Sequence, residues 1–99
     1  MDVNIQSVRF DADSKLIEYV SSKLKKLNHF SDRIIRVNVF LKLDNVMHVV
    51  KDKIAEIRVH IPRRNFFVKS TSKSFEESFD EAFDSLLVQI KKNKERKAA

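Results

Sequence analysis

Glycine does not occur anywhere in the 99-residue chain, and that absence removes several chemistries at once. A Walker loop, a dinucleotide fingerprint and the GXXG clamp of KH domains all need a residue without Cβ where backbone meets phosphate. Nucleotide-cofactor chemistry is therefore not expected. Cysteine is also missing, which excludes disulfides, thiol nucleophiles and thiolate metal ligands and fits a reducing compartment. No apolar run approaches the length of a membrane span. Met1 is followed by Asp2 and a strand-like alternation instead of a basic and then apolar leader, so the cytosol is the expected compartment.

Catalytic constellations are equally scarce. The three histidines, His29, His48 and His60, lack the close spacing of a metal-binding pair. The serines are many, but none sits in a Gly-x-Ser-x-Gly setting. Glu76/Asp80 and Glu77/Glu81 are i,i+4 carboxylate pairs on an exposed first turn, where helix-dipole complement and solubility explain them better than acid–base work. The acidic Asp11–Ser14 stretch reads as a helix cap, since the further ligands and the glycine of a calcium loop are missing. No enzyme activity, metal or cofactor is expected.

What is present is an ordinary hydrophobic fraction, 42%, with a net charge of +6 and pI near 9.7. Ninety-nine residues suffice for one domain with one sheet layer and one helix layer. The charge is uneven: residues 75–90 carry −5, whereas 14–27 carry +3 and 91–99 carry +4. No basic amphipathic helix here also exposes a large apolar face, so the profile points to nucleic acid before membrane.

The dominant pattern is Ser74–Lys94. Phe75, Phe79, Ala82, Phe83, Leu86 and Ile90 recur at spacings of three and four, one apolar face of a helix. Ser74 with Glu77 predicts a capping box at its start. Leu16, Ile17, Val20, Leu24 and Leu27 make a second such stripe over Ser14–Leu27, with Asp13 as the N-cap. Asn28, and later Asn65, are the residues able to take the left-handed geometry that glycine would otherwise supply.

Strands are expected at 3–10, at 34–43 with Ile35, Val37, Val39, Leu41 and Leu43 on one face, at 55–61, and at 66–70 after a hairpin at Pro62–Asn65. Residues 46–53 read either as the start of a long third strand or as a flexible hairpin arm, with Lys51–Lys53 in it as a solvated turn or bulge. The fold class is thus α+β: a single β-α-β-β-β-α domain with a four-stranded mixed sheet, a parallel first pair, an antiparallel meander, and both helices packed on one face. The domain is expected over residues 1–94, with 95–99 a short basic tail.

At 100° per residue, Ser85, Gln89, Lys92 and Arg96 line one flank of the second helix with no acid among them, while Glu76, Glu77, Asp80 and Asp84 fall on the other side or the back. On the first helix Lys15, Tyr19, Ser22, Lys23 and Lys26 share a flank. Tyr19 fits packing at the sheet edge better than stacking on a base. These two flanks are expected to form a shared basic surface. Three function classes remain open on the residues alone: an rRNA-binding factor, a general double-stranded-RNA binder, and a protein–protein module marked by Phe40, Phe67 and Val88. Phe40 and Phe67 sit on nominally wet strand positions, and weak self-association through the open sheet face would account for them.

The amino-terminal VNIQS strand, LIEYVSSKLKKLNHFSDRI, VFLKLDNVMHVV and SFEESFDEAFDSLLVQIKKNKERK, in this order and nearly end to end, resemble the ribosome hibernation-promoting factors and ribosome-associated inhibitors of the sigma-54-modulation, ribosomal S30EA type. The resemblance implies a β-α-β-β-β-α domain that occupies the small ribosomal subunit near the decoding centre and silences translation in stationary phase or stress, in the cytoplasm. Basic and polar positions on both helices would face rRNA. Lys23, Lys26, Gln89 and Lys92 match such positions, and Lys15, Lys91, Lys94 and Arg96 complete the candidate rRNA-binding set. Ser85 and Val88 depart from the pattern, since relatives often carry Lys or Arg there, and this shifts the second-helix contact toward Lys91, Lys92 and Lys94. The chain is similar to the short form of the family, without the linker and second domain of the long factors. No membrane and no small-molecule substrate are implied.

Overall fold

The computed structural model describes residues 1–44 and 52–98, with side chains as far as residue 94. The element order is β1 (Asp2–Val8), α1 (Ser14–Lys25), β2 (Arg36–Asp44), β3 (Asp52–Ile61), β4 (Arg64–Ser72) and α2 (Phe75–Ala98). The sheet order is β1-β2-β3-β4, with β1 and β2 parallel and the other two pairings antiparallel. This is the expected α+β architecture. The third strand starts at Asp52, so Asp52 and Lys53 belong to it, in line with the long-strand reading of this stretch and against the turn reading. The rest of the stretch, residues 46–51, lies outside the described residues. α2 continues to Ala98, past the point where the tail is expected to begin.

Alternation builds the core. Val37, Val39 and Leu41 of β2 face Val59, Ile57 and Ala55 of β3 in register, and Phe66 and Val68 continue the same face on β4. Against that face lie Leu16, Val20 and Leu24 from α1 and Phe79, Phe83, Leu86 and Ile90 from α2, one continuous cluster. Each large aliphatic side chain taken from water contributes about 1.5–3 kcal/mol, so the two helical stripes account for why both helices share one side of the sheet.

The helix starts follow the sequence with one change. Asp13 Oδ1 accepts the Leu16 N–H at 2.8 Å, the expected cap. Ser74 Oγ accepts the Glu77 N–H at 3.1 Å, but the Ser74 N–H donates to Ser72 Oγ at 3.3 Å, so the box is half local serine chemistry. Fully buried Ser78 donates to the Lys53 carbonyl at 2.5 Å, tying the first turn of α2 to β3.

Without glycine, two arginines among the described residues take the left-handed backbone: Arg9 and Arg63, both at φ 68°. Arg63 follows Pro62 in the two-residue turn between the paired Ile61 and Arg64, the position where a proline-led turn with positive φ favours glycine. This corrects the expectation for Asn65, which lies in β4, and for Asn28, which lies in a 3-10 turn over Lys26–His29. Each left-handed arginine costs about 1–2 kcal/mol relative to a right-handed one.

Candidate nucleic-acid interface

Three contacts fix how the helices lie together. Phe10, just before α1, stacks on Phe75 at the start of α2 with ring centroids 4.4 Å apart. Lys23 meets Asp80. Lys91 places its ammonium 5.6 Å from the centre of the Phe30 ring, beyond the end of α1. The residue numbers rise together along both helices, so α1 and α2 run parallel. Their N-termini share one end of the layer and their lysine-rich C-termini share the other, where both helix dipoles are negative and cations are favoured.

Near the middle of the seam Asp80 gathers two donors. The Tyr19 hydroxyl donates to Asp80 Oδ1 at 2.6 Å and Lys23 Nζ to the same oxygen at 2.5 Å. Burial works against the Asp80 charge, but the hydrogen bonds from Lys23 and Tyr19 outweigh it and hold the carboxyl below its ordinary range. Burial likewise opposes the Lys23 charge, and the hydrogen bond and attraction of Asp80 overcome it, so the ammonium is held above its usual value. The Asp80 hydrogen bond is the largest cause that raises the Tyr19 phenol. Tyr19, expected to pack at the sheet edge, is half-buried in the seam between the helices, with its hydroxyl on Asp80. The wheel reading of Asp80 is corrected: it faces α1, because the flank Asp80 shares with Leu87 and Lys91 is the one turned toward the first helix.

The other candidates divide by position. Lys15 and Lys26 are exposed on α1, and Lys91, Lys92 and Lys94 are exposed on α2. None of the five is ion-paired among the described residues. Lys26 and Lys91 stand at the shared C-terminal end, with Lys94 beside Arg33 around a small cleft there. Lys15 lies on the first turn of α1, about 16 Å away along the helix at 1.5 Å per residue. Gln89 and Lys92 are exposed on the flank of Glu81, which accepts the Ser70 hydroxyl from β4, so they look past the sheet edge and not into the seam. The Arg96 side chain is outside those described. The two flanks therefore do not merge along their length; the cations converge at the end where both helices finish. Lys23, a candidate from the resemblance, is the lysine that the fold already engages.

On the open sheet face, where sequence reasoning singled out Phe40 and Phe67, it missed a buried charge. Glu56, placed on the wet side by alternation, is only 6% exposed and pairs with Lys42 at 2.7 Å. Phe40 and Lys69 flank it in the register and cover it. Phe40 is half-buried with Lys42 and Arg58 over its ring, whereas Phe67 is 50% exposed. Val88, 51% exposed, lies on the helix layer, so Phe67 and Val88 do not share one patch. Among the described residues no group of three or more acidic or histidine side chains is placed to hold a metal ion, and no helix is long and apolar enough to cross a membrane.

The class defined by this fold and this charge arrangement is matched by a family model, that of the Sigma 54 modulation protein / S30EA ribosomal protein family, over residues 3–98. The chain belongs to that family. Among solved structures it is similar to a ribosomal subunit interface protein from Coxiella burnetii, with a TM-score of 0.76 at 20% identity over 92% of this chain and 97% of that one. It is also similar to the N-terminal domain of Thermus thermophilus Protein Y, with a TM-score of 0.76 at 24% identity over 93% and 98% of the two chains. At such identities the likeness establishes the shared fold. Among curated proteins, none matches the chain by sequence.

Proposed function

We propose that the chain is a non-catalytic ribosome-binding factor that sets its helix layer against rRNA of the small subunit, occupies the decoding region where mRNA and tRNA lie, and silences translation in stationary phase or stress. The observation that carries this reading is the convergence of three exposed lysines, Lys26, Lys91 and Lys94, not ion-paired among the described residues, at the shared C-terminal end of two parallel helices. Family membership and the likeness to a ribosomal subunit interface protein support it. Clustered ammonium groups on a rigid layer neutralise phosphates through counterion release and recognise a folded RNA by shape, with little base readout.

Occupancy predicts competition. In a reconstituted translation reaction, the protein should inhibit initiation at stoichiometric amounts, and preformed small-subunit–mRNA–tRNA complexes should resist it. Inhibition that persists when mRNA and tRNA already fill their sites would overturn the occupancy mechanism. Equal affinity for naked RNA duplexes and for small subunits would favour a general duplex binder instead.

A further inference from the structure

The sheet face turned away from the helices carries a second arrangement that the helix layer does not use. Two adjacent rows cross β2, β3 and β4 in register: Arg36–His60–Asn65 and Asn38–Arg58–Phe67. These six line a depression of roughly 460 Å³. Phe67 is half-exposed at its edge. The Arg58 guanidinium stands 5.1 Å from the centre of the Phe40 ring and 5.5 Å from that of Phe67, which fixes a cationic plane between two aromatic faces. His60 Nδ1 and Asn65 Oδ1 are 2.5 Å apart. With the Nδ1–H donating to that oxygen, His60 keeps Nε2 as an acceptor and Asn65 keeps its amide N–H groups as donors.

An exposed aromatic ring, a donor and acceptor pair beside it, and two arginines together match the parts of an unpaired nucleotide: a base face, a base edge and a phosphate. No acid is among the lining residues; Asp2, paired with Arg36 in the register, stands outside on β1. A second copy of the chain fits less well, because a self-facing contact would bring Arg36 and Arg58 of one protomer against those of the other. We propose that this depression binds single-stranded RNA, one or two unpaired nucleotides at a time, with a base stacked on Phe67, its edge met by His60 and Asn65, and phosphate neutralised by Arg36 and Arg58. The site is independent of the helix layer, so one chain would present a shape-reading face and a strand-reading face on opposite sides.

The test is fluorescence anisotropy of the full chain with a labelled ten-nucleotide oligouridylate at low salt, together with an amide chemical-shift titration. Saturable binding is expected, with the shifts concentrated on β2–β4. Phe67→Ala, an exposed change that leaves circular dichroism native, should weaken binding by about tenfold or more. Arg36→Gln should weaken it and reduce the salt slope by about 0.7. Absence of saturable binding, equal affinity of Phe67→Ala, or shifts confined to the ends of α1 and α2 would each overturn the proposal. So would a concentration-dependent dimer that Phe67→Ala abolishes, which would assign the face to a second copy.

Discussion

At the end where Phe10 stacks on Phe75 and along the seam to Asp80, several polar groups of the helix layer are in internal contacts, with Lys15 exposed beside them: Asp13 and Ser74 cap, and Tyr19 and Lys23 close on one carboxylate. At the end where Lys91 covers Phe30, the lysines are exposed and not ion-paired among the described residues. The difference separates lysines that hold the fold from lysines available to a partner. A lysine already hydrogen-bonded to a carboxylate must break that bond to reach a phosphate, whereas one held only by its stem and an aromatic ring keeps its ammonium free.

Removing the packing beneath the seam tests the comparison most severely. Phe79 is fully buried beside Phe83, and Phe79→Ala should cost about 3–5 kcal/mol in a urea melt. Because the parallel seating of α2 goes with it, both ends should lose order together. A loss below about 1 kcal/mol would mean that the seam does not depend on this core.

A smaller effect separates the ends directly. Asp80→Asn keeps the shape and removes the charge, and because the carboxylate is partly exposed the expected loss is about 1 kcal/mol at neutral pH. The sign with pH follows from the shifts. The depressed carboxyl of Asp80 contributes stability above its ordinary value of 3.8, lost as pH falls through the lower folded value. The raised Lys23 and Tyr19 groups contribute below their ordinary 10.5 and 10.0, lost as pH rises through the folded values. Thermal melts of wild type and Asp80→Asn should therefore differ at neutral pH and converge as pH falls below 3.8. A gap that does not narrow would remove Asp80 as the tie. The same variant releases Lys23 and should raise small-subunit affinity a few-fold. The smallest expected change is at the turn: Arg63→Asn, in a left-handed position, should stabilise by up to about 1 kcal/mol and leave ribosome binding within twofold.

Much of this layout was legible in the chain. The stripes at 16–27 and 75–90 and the alternation in β2 and β3 are local periodicities that map to buried faces, except at Ile35, which was expected in the core and is 42% exposed while Ile34 is buried. Asp13 is an equally local signal. What was not legible depends on partners distant in sequence. Asp80 sits about 120° from the centre of its helix's apolar face on a wheel of 100° steps, and nothing within α2 says whether that flank meets water or a neighbouring helix. Glu56 is buried by cross-strand neighbours that alternation cannot count. The left-handed arginines escaped notice because the usual signal for that geometry is glycine or asparagine; in a chain without glycine, turn register decided the positions. The parallel direction of the helices is implied by the β-α-β-β-β-α order with its parallel first pair; which lysines are held and which stay exposed needed the seam contacts.

The most direct test of the distinction between held and free lysines is the salt dependence of small-subunit binding, measured by co-sedimentation across ionic strengths. Replacing Lys26, Lys91 and Lys94 by Ala should lower the magnitude of the log K against log salt slope by about 2, with native circular dichroism, whereas Lys23→Ala should leave the slope unchanged. A slope that falls as much for Lys23→Ala as for the triple variant, or a triple variant that binds with the wild-type slope, would contradict the account.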